Sequence, residues 1–366
     1  MSKKILVYGA GAIGRGYVPW LFKQTDTKLY FVEKNKNLRE KLLKFKKYNT
    51  YMTTPSGYNC YESKFEDCFS PGNEFSIKYD GAITAVGPRQ IFDIKDNLKK
   101  LDCPIIFFEN DSKLPNKLSK LTKSNNFFFG IPDVITSNTA PKFFLNNDDL
   151  SVVTEEGETF ADETAKNIGG KIKYVNASEL KKQWLAKLYI HNTPHCIAAY
   201  LGYVRKLTHL HEGMSFSNIY KIIENSMIEM GKALINVYEL DRNFIDWYSK
   251  KELSRFSNKL LFDPISRVAR EPFRKLGLTN RLIGAAQLCL QAGVRPTNII
   301  TGIMAAFSYD NINDEDSNIK ILMDSLSPDD FLGLIINIHP HEALYELIIN
   351  DWKTNEEILN DIRNGR

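Results

Sequence analysis

The stretch KILVYGAGAIGRG at residues 4–16 indicates the fold of the first half of the chain. Lys4–Tyr8 predicts a buried strand, and glycines follow it at once in the spacing GxGxxG. In such a unit Gly9 permits a tight turn, Gly11 lets the backbone approach a pyrophosphate, and Gly14 lets the helix pack on the strand. A helix that begins at Ala12 and Ile13 would offer free N–H groups to the phosphates. We predict a dinucleotide site here; a glycine-rich turn without a ligand is the alternative.

An acidic residue follows the second predicted strand. Leu29–Val32 ends at Glu33, close to the spacing of about 20 residues found in dinucleotide-binding units. A carboxylate at this position accepts hydrogen bonds from the ribose hydroxyls of NAD and repels the extra phosphate of NADP. Lys34 and Lys36 beside it weaken that preference without reversing it. The sequence therefore favours NAD over NADP.

The order of apolar runs predicts two domains. Helical patterns lie between several further candidate strands, which are Gly81–Val86, Ile105–Glu109, Phe127–Ile131 and Leu150–Thr154. This alternation is typical of a parallel sheet with crossover helices. From about residue 178 the apolar spacing becomes helical, as in Glu179–Tyr203, Phe216–Tyr238 and Leu282–Leu290. We predict an α/β protein: a Rossmann-type doubly wound sheet in residues 1–177, then a mostly helical domain in residues 178–366.

Two loops are predicted to meet the cofactor at the carboxyl edge of this sheet. Val86 and Gly87 lie in the loop after the third strand, and Asn110 follows the next strand. Ligands of open α/β sheets bind at this edge. Asn110 would orient the nicotinamide or the substrate, although a plain turn residue is the alternative.

The segment from Lys187 to His195 carries the candidate acid/base. At about 100° per residue, Lys187, His191, Asn192 and His195 share an arc of about 140°. A desolvated lysine can take the proton of an alcohol while hydride leaves the carbon, and Asn and His can hold the oxygen. The spacing alone also allows a solvated Lys187 and a core His195. Pro194 is expected to weaken or kink the helix.

Composition excludes several classes of protein. Apolar residues make up 43% and charged residues 25% of 366 residues, with a net charge of +4. No apolar run approaches the roughly 20 residues of a membrane span, and the short lysine clusters resemble solvated faces more than nucleic-acid patches. Five scattered cysteines suggest reduced thiols in the cytoplasm, and two HxH pairs lack the partners of a metal site. We predict no metal and an anionic small-molecule ligand.

The motifs together resemble those of the polyol-specific long-chain dehydrogenases. Lys187, Asn192 and His195 match the K-x4-N-x2-H signature of that family. Further similar blocks follow the family order: GAGAIGRG at 9–16, TAVGP at 84–88, EN at 109–110, KLYIHNTPHCIAAYLG at 187–202, REPFRKL at 270–276 and NRLI at 280–283. The resemblance spans most of the chain.

The resemblance implies a metal-independent, NAD-dependent enzyme. Its substrates would be a sugar alcohol phosphate and a ketose phosphate, namely mannitol 1-phosphate and fructose 6-phosphate. Lys187 would be the general acid/base, Asn192 and His195 would bind the reacting oxygen, and Asn110 would position substrate or cofactor. The remaining substrate candidates are Asp133, which matches a family aspartate loosely, and Arg270 and Arg281, which would bind the phosphate.

The chain departs from the family pattern at three places. Residues 132–141 lack the usual arginine after the aspartate, Pro194 replaces a glycine, and His191 replaces an apolar residue. Two alternatives therefore stay open: a dehydrogenase of another polyol, sugar acid or phosphosugar, and a non-catalytic NAD-binding sensor. The expected partner is a small phosphorylated molecule rather than nucleic acid or membrane, and the oligomeric state is open between monomer and dimer.

Overall fold

The computed structural model describes residues 2–141, 145, 148–312, 314 and 318–365. The chain divides into two compact units, residues 1–184 and 185–366. This division falls inside the helix Ala177–Ala186. The sequence predicted the second domain to begin at residue 178, near the start of the same helix, and that boundary stays a prediction.

A mainly parallel sheet forms the centre of the first unit. The strands of this unit are β1 (Lys3–Tyr8), β2 (Thr27–Val32), β3 (Lys47–Thr54), β4 (Gly57–Lys64), β5 (Asp67–Phe69), β6 (Gly81–Thr84), β7 (Ile105–Phe107), β8 (Phe127–Asp133), β9 (Thr136–Ser137), β10 (Val152–Glu155), β11 (Glu158–Asp162) and β12 (Lys173–Val175). Eight of them form one sheet in the order β12-β11-β8-β7-β6-β1-β2-β5. β1 pairs parallel with β2 and β6, and β11 pairs antiparallel with β8.

Both faces of this sheet are buried. Ile5 and Val7 of β1 belong to one apolar core, and Leu6 and Tyr8 belong to another, because successive side chains of a strand point to opposite faces. A strand that is covered on both faces is apolar at successive positions, which is why residues 4–8 could be recognised from the sequence as a buried strand. The helices of this unit are α1 (Val18–Phe22), α2 (Lys36–Phe45), α3 (Lys95–Lys99), α4 (Leu114–Thr122) and α5 (Ala177–Ala186), with a π-helical segment at Ala12–Tyr17 and short 3-10 segments at Glu74–Ser76, Gln90–Phe92 and Glu163–Ile168. The predicted doubly wound α/β sheet is confirmed.

A second sheet, which the sequence did not predict, lies in the same unit. Its order is β4-β3-β10-β9, and β3 and β4 form an antiparallel hairpin. Polar residues dominate β4, and much of the strand is exposed or half-buried, so it gives no clear apolar pattern. The strand predicted at Leu150–Thr154 exists as β10, but it pairs with β3 and β9 rather than extending the main sheet.

Helices build the described part of the second unit. They are α6 (Thr193–Val204), α7 (Leu210–Gly213), α8 (Ser217–Tyr238), α9 (Arg242–Phe256), α10 (Ile265–Val268), α11 (Pro272–Lys275), α12 (Ile283–Gln291), α13 (Thr297–Phe307), α14 (Ile319–Ser325), α15 (Pro328–Asp330) and α16 (Ala343–Asn364), with single turns at Lys187–Asn192, Lys259–Leu261 and Phe331–Ile336. α6 is buried along almost its whole length, which explains its all-round apolar sequence. The predicted helical second half is confirmed. Within the described residues, no helix is both long and apolar enough to cross a bilayer.

Candidate active site

The glycine loop has the geometry that its spacing predicts. Gly9 adopts φ +90°, and a Cβ atom added there would lie 2.6 Å from the carbonyl oxygen of Ala85. A Cβ on Gly14 would lie 1.9 Å from the carbonyl oxygen of Gly9, so both positions require glycine. At Gly11 an added Cβ would meet nothing within 4 Å. The loop therefore packs tightly on one side and is open at the glycine that was predicted to face a pyrophosphate.

Glu33 lies beside this loop. Its carboxylate is nearly buried and accepts hydrogen bonds from the backbone N–H of Ala10, at 2.9 Å, and of Asn35, at 2.8 Å. Each carboxylate oxygen has a second lone pair that a ribose hydroxyl can use. The residues present thus fit a dinucleotide: an open glycine for the phosphates and an acidic acceptor for the ribose. When bound, NAD supplies a hydride acceptor.

The loop after β6 is held by a carboxylate that the sequence analysis did not single out. Glu109 is buried, and it accepts hydrogen bonds from the hydroxyl of Thr84, at 2.5 Å, and from the N–H groups of Val86, at 3.0 Å, and Gly87, at 3.4 Å. Burial raises the pKa of Glu109, while these hydrogen bonds oppose the rise. Glu109 therefore fixes the backbone of the predicted cofactor loop. Its neighbour Asn110 is exposed.

The last predicted site residue of the first unit is Asp133. It ends β8, is 5% exposed, and pairs in register with Glu158 of β11. The predicted substrate roles of Asp133 and Asn110 stay predictions.

In the second unit, Lys187 begins a π-helical turn that runs to Asn192. In a π-helix the backbone hydrogen bonds join residues that are five positions apart, and such residues lie on the same side of the helix. Lys187 and Asn192 are five positions apart and therefore share a face. A regular α-helix, which the sequence analysis assumed, would separate them by about 140°. Pro194, at the start of α6, would crowd the carbonyl of Ile190 in a regular helix, and a wider turn relieves this. Lys187 is only 5% exposed, which contradicts the solvated alternative.

Asn192 presents a buried donor on this face. The residue is 4% exposed, and its Nδ2 has no hydrogen-bond partner among the described residues. A buried amide without a partner costs free energy, and such groups concentrate at functional sites. An oxygen that gains negative charge during a reaction would satisfy this donor.

His195 is joined to Arg267 through Asp263. His195 Nε2 lies 2.8 Å from Asp263 Oδ2, and Arg267 Nη2 lies 2.5 Å from Asp263 Oδ1. Burial would raise the pKa of Asp263, but Arg267 and His195 outweigh burial and hold it below its usual range. Burial lowers the pKa of His195 despite the neighbouring carboxylate. His195 is therefore neutral near pH 7, donates from Nε2 to Asp263, and offers Nδ1 as an acceptor.

A second arrangement of the same kind surrounds His191. His191 Nδ1 lies 2.5 Å from Glu252 Oε2, and Arg255 Nη1 lies 2.6 and 2.8 Å from the two Glu252 oxygens. The Phe256 ring packs against both imidazoles, with centroid distances of 5.5 Å to His191 and 5.0 Å to His195. Sequence reasoning missed both carboxylates, because each lies more than 60 residues from its histidine and no local pattern marks it.

The two predicted phosphate arginines lie in different environments. Arg281 is buried, whereas Arg270 is exposed and its Nε donates to the carbonyl oxygen of Arg267 at 3.4 Å. Lys275, a member of the same basic set for which Arg270 and Arg281 were preferred, is buried close to Arg281 and Cys196. Burial lowers the pKa of Lys275 to about 7 and that of Arg281 to about 10. Lys275 stands in the same family-like block as Arg270 and is the better candidate for an anion.

Two family models match the chain. Residues 3–59 match the mannitol dehydrogenase Rossmann domain, and residues 179–338 match the mannitol dehydrogenase C-terminal domain. Among known proteins, mannitol-1-phosphate 5-dehydrogenase of Caldanaerobacter subterraneus subsp. tengcongensis is 28% identical over 342 residues, covering 84% of this chain and 86% of the relative. The enzyme of the same name from Bacillus pumilus is 27% identical over 384 residues, covering 95% and 99%.

Solved structures share the fold. A Pseudomonas fluorescens mannitol 2-dehydrogenase in ternary complex with NAD and D-mannitol superimposes with a TM-score of 0.74 at 13% identity, covering 100% of this chain and 92% of that one. A substrate-free D-sorbitol dehydrogenase gives a TM-score of 0.65 at 14% identity, covering 99% and 92%. At such identities the likeness concerns the fold alone. With both family models matched in order, the chain belongs, as its motifs indicated, to the mannitol dehydrogenase family of polyol-specific dehydrogenases.

Proposed function

We propose that this protein is an NAD-dependent dehydrogenase that interconverts mannitol 1-phosphate and fructose 6-phosphate without a metal. The proposal is supported by the π turn, in which buried Lys187 shares a face with Asn192, whose Nδ2 has no hydrogen-bond partner among the described residues. The printed names of the relatives support the substrate, and the glycine loop with Glu33 supports NAD.

Lys187 is the general acid/base in this proposal. Burial favours the uncharged form of an amine, which can take the proton of a substrate hydroxyl on Nζ. In the reverse direction the protonated Nζ returns that proton to the oxygen of the ketose. Asn192 Nδ2 donates to the same oxygen and stabilises the negative charge that develops on it. His195 Nδ1 accepts a hydrogen bond from a substrate hydroxyl, because Nε2 is engaged with Asp263.

Arg281 and Lys275 are assigned to the substrate phosphate. They are buried close to each other, and no carboxylate among the described residues lies at ion-pair distance from either, so an incoming anion would stabilise their charge. Arg270 is less suited to this role, since its side chain is exposed.

The direct test compares phosphorylated with free substrates. We expect kcat/KM with NAD to be at least about 100-fold higher for mannitol 1-phosphate than for mannitol, and the same for fructose 6-phosphate over fructose with NADH. The substitution Arg281→Met should lower turnover of the phosphorylated pair selectively, and Arg270→Met is its matched control. Equal kcat/KM for phosphorylated and free hexitols would rule out the phosphate assignment.

A further inference from the structure

Arg15 is a buried cation directly after the glycine loop. It is 2% exposed, and within the described ranges no carboxylate lies at ion-pair distance from it, since Glu33 and Asp148 act only from farther away. Its Nε is buried and has no hydrogen-bond partner in the described part of the chain, and its Cζ lies 5.9 Å from the centroid of the Tyr48 ring. A guanidinium in such surroundings is costly unless an anion compensates its charge.

The hydrogen bond that Arg15 does make ends on the glycine loop. Its Nη1 donates to the carbonyl oxygen of Ala10 at 2.6 Å. The N–H of the same residue donates to Glu33 Oε2 at 2.9 Å. The backbone of Ala10, between the first two glycines, is therefore held by two buried side chains of opposite charge. We call this arrangement the Ala10 clamp.

The Ala10 clamp fixes the direction of the next N–H group. In a trans peptide the carbonyl oxygen and the following N–H point in opposite directions. Because the carbonyl of Ala10 points to Arg15, the N–H of Gly11 points away from Arg15. An added Cβ on Gly11 would meet nothing within 4 Å, so this part of the loop is open.

We propose that Arg15 is a positioning residue for the pyrophosphate of the dinucleotide. It orients the Ala10–Gly11 peptide so that its N–H faces the phosphate, and its buried charge stabilises the anion through a medium of low dielectric constant. This inference rests on the NAD binding of the proposed function. Glu33 is assigned to the ribose, whereas Arg15 is assigned to the pyrophosphate. Loss of Arg15 should therefore affect only ligands that carry a pyrophosphate.

The test compares two ligands on the full chain. Dissociation constants of ADP-ribose, which has the pyrophosphate, and adenosine, which has none, are measured by displacement of NADH fluorescence. Arg15→Met should raise the dissociation constant of ADP-ribose by about 10–100-fold, the usual effect of removing a charged hydrogen-bond partner. The dissociation constant of adenosine should change by less than twofold. Arg15→Lys keeps the charge but not the two-pronged group, and should give an intermediate loss.

Controls separate this role from a structural one. Tyr48→Phe removes the hydrogen bond from the Tyr48 hydroxyl to the Arg15 carbonyl and leaves the guanidinium in place, so ADP-ribose affinity should stay within twofold. An equal loss of affinity for ADP-ribose and adenosine, or no loss of affinity for ADP-ribose, would overturn the inference. If Arg15→Met does not fold, the same comparison of the two ligands in Arg15→Lys decides the question. Failure of the wild type to turn over any polyol or ketose, with ADP-ribose binding intact, would count against the proposed function and not against this inference.

Discussion

At the scale of single residues, the amide of Asn192 is the most informative group in the second unit. Its Nδ2 is buried without a partner in the described chain, and the π turn sets it on the face of Lys187. Because this donor would be used mainly when charge develops on the substrate oxygen, Asn192→Ala should lower kcat by about 100-fold while NADH affinity is unchanged. Steady-state kinetics with a parallel NADH titration measure both quantities.

A suitable control for that variant is Asn236→Ala. Asn236 donates to the carbonyl of Ala292 at an exposed site, and its loss should leave kcat within twofold. A rise in KM with unchanged kcat in Asn192→Ala would show that the amide binds the ground state and the transition state equally.

The His195–Asp263 pair makes stability depend on pH. Both pKa values are lower in the fold than in the unfolded chain, where the usual values are 6.5 and 3.8. A lowered pKa gives stability that is present above the unfolded value and is lost as pH falls through the folded value. The free energy of unfolding in urea should therefore fall from pH 7 to pH 4. His195→Asn should make the fall between pH 7 and pH 5 smaller, because the unfolded chain then has no imidazole at this position to take up a proton.

The exposed His341 provides the reference for that experiment. His341→Asn should keep the wild-type slope of unfolding free energy against pH. If the free energy of unfolding falls with pH equally steeply in His195→Asn and in the wild type from pH 7 to pH 5, His195 is not held neutral by the fold.

Lys275 illustrates a cost in stability that a binding role would explain. Burial lowers its pKa from the usual 10.5 to about 7, so the unfolded chain takes up the proton first and the free energy of unfolding falls as pH drops between these two values. Replacing a buried charge with an apolar side chain often stabilises a protein, and Lys275→Met should raise the free energy of unfolding at pH 6 by about 1–4 kcal/mol. The same variant should raise KM for the phosphorylated substrate. A variant that is less stable at pH 6 would contradict this account.

At the scale of elements, α13 begins at a carboxylate from a distant helix. Glu229 of α8 accepts hydrogen bonds from the N–H of Asn298, at 2.9 Å, and of Ile299, at 3.2 Å. The first N–H groups of a helix lack partners within it, so Glu229 acts as a cap. Glu229→Ala should lower the free energy of unfolding by about 1–3 kcal/mol, and Glu229→Gln by less.

The exposed Lys232 on α8 serves as the control for the cap. Lys232→Ala should change the free energy of unfolding by less than about 0.5 kcal/mol. If Glu229→Ala costs no more than Lys232→Ala in chemical denaturation, the cap does not stabilise α13.

Elements with strong local patterns were predictable from the sequence. The glycine loop, the buried strands of the main sheet and the long helices follow from continuous apolar runs and helical spacing. The hairpin β3–β4 was not predictable, because its stabilisation comes from pairing with β10, far along the chain, and not from an apolar alternation of its own. The π turn was missed for a similar reason, since a spacing rule assumes one helical geometry throughout.

The candidate site was predictable where a motif carries its residues. Lys187, Asn192 and His195 were predicted from one segment, and all three are buried; their catalytic roles stay predictions. Glu252 and Asp263 were not found, because only tertiary structure brings them to the histidines. Lys275 was passed over in favour of Arg270, since a basic cluster in a sequence does not reveal which member is buried.

At the scale of the whole molecule, the predicted roles fall on different units. The groups assigned to the dinucleotide lie in residues 1–184, and those assigned to proton transfer lie in residues 185–366. Removal of the acid/base should therefore abolish turnover without affecting binding of NADH. If the protein were instead an NAD-binding sensor, its function would depend on binding alone, and removal of the acid/base would leave that function intact.

The most direct measurement is single-turnover hydride transfer in Lys187→Ala, followed by NADH absorbance with fructose 6-phosphate. We expect a loss of about 10²–10⁴-fold, an NADH dissociation constant within twofold of the wild type, and partial recovery of the rate on addition of a small primary amine such as ethylamine. Hydride transfer at close to the wild-type rate in Lys187→Ala, with no response to the amine, would contradict the assignment of Lys187 as the general acid/base.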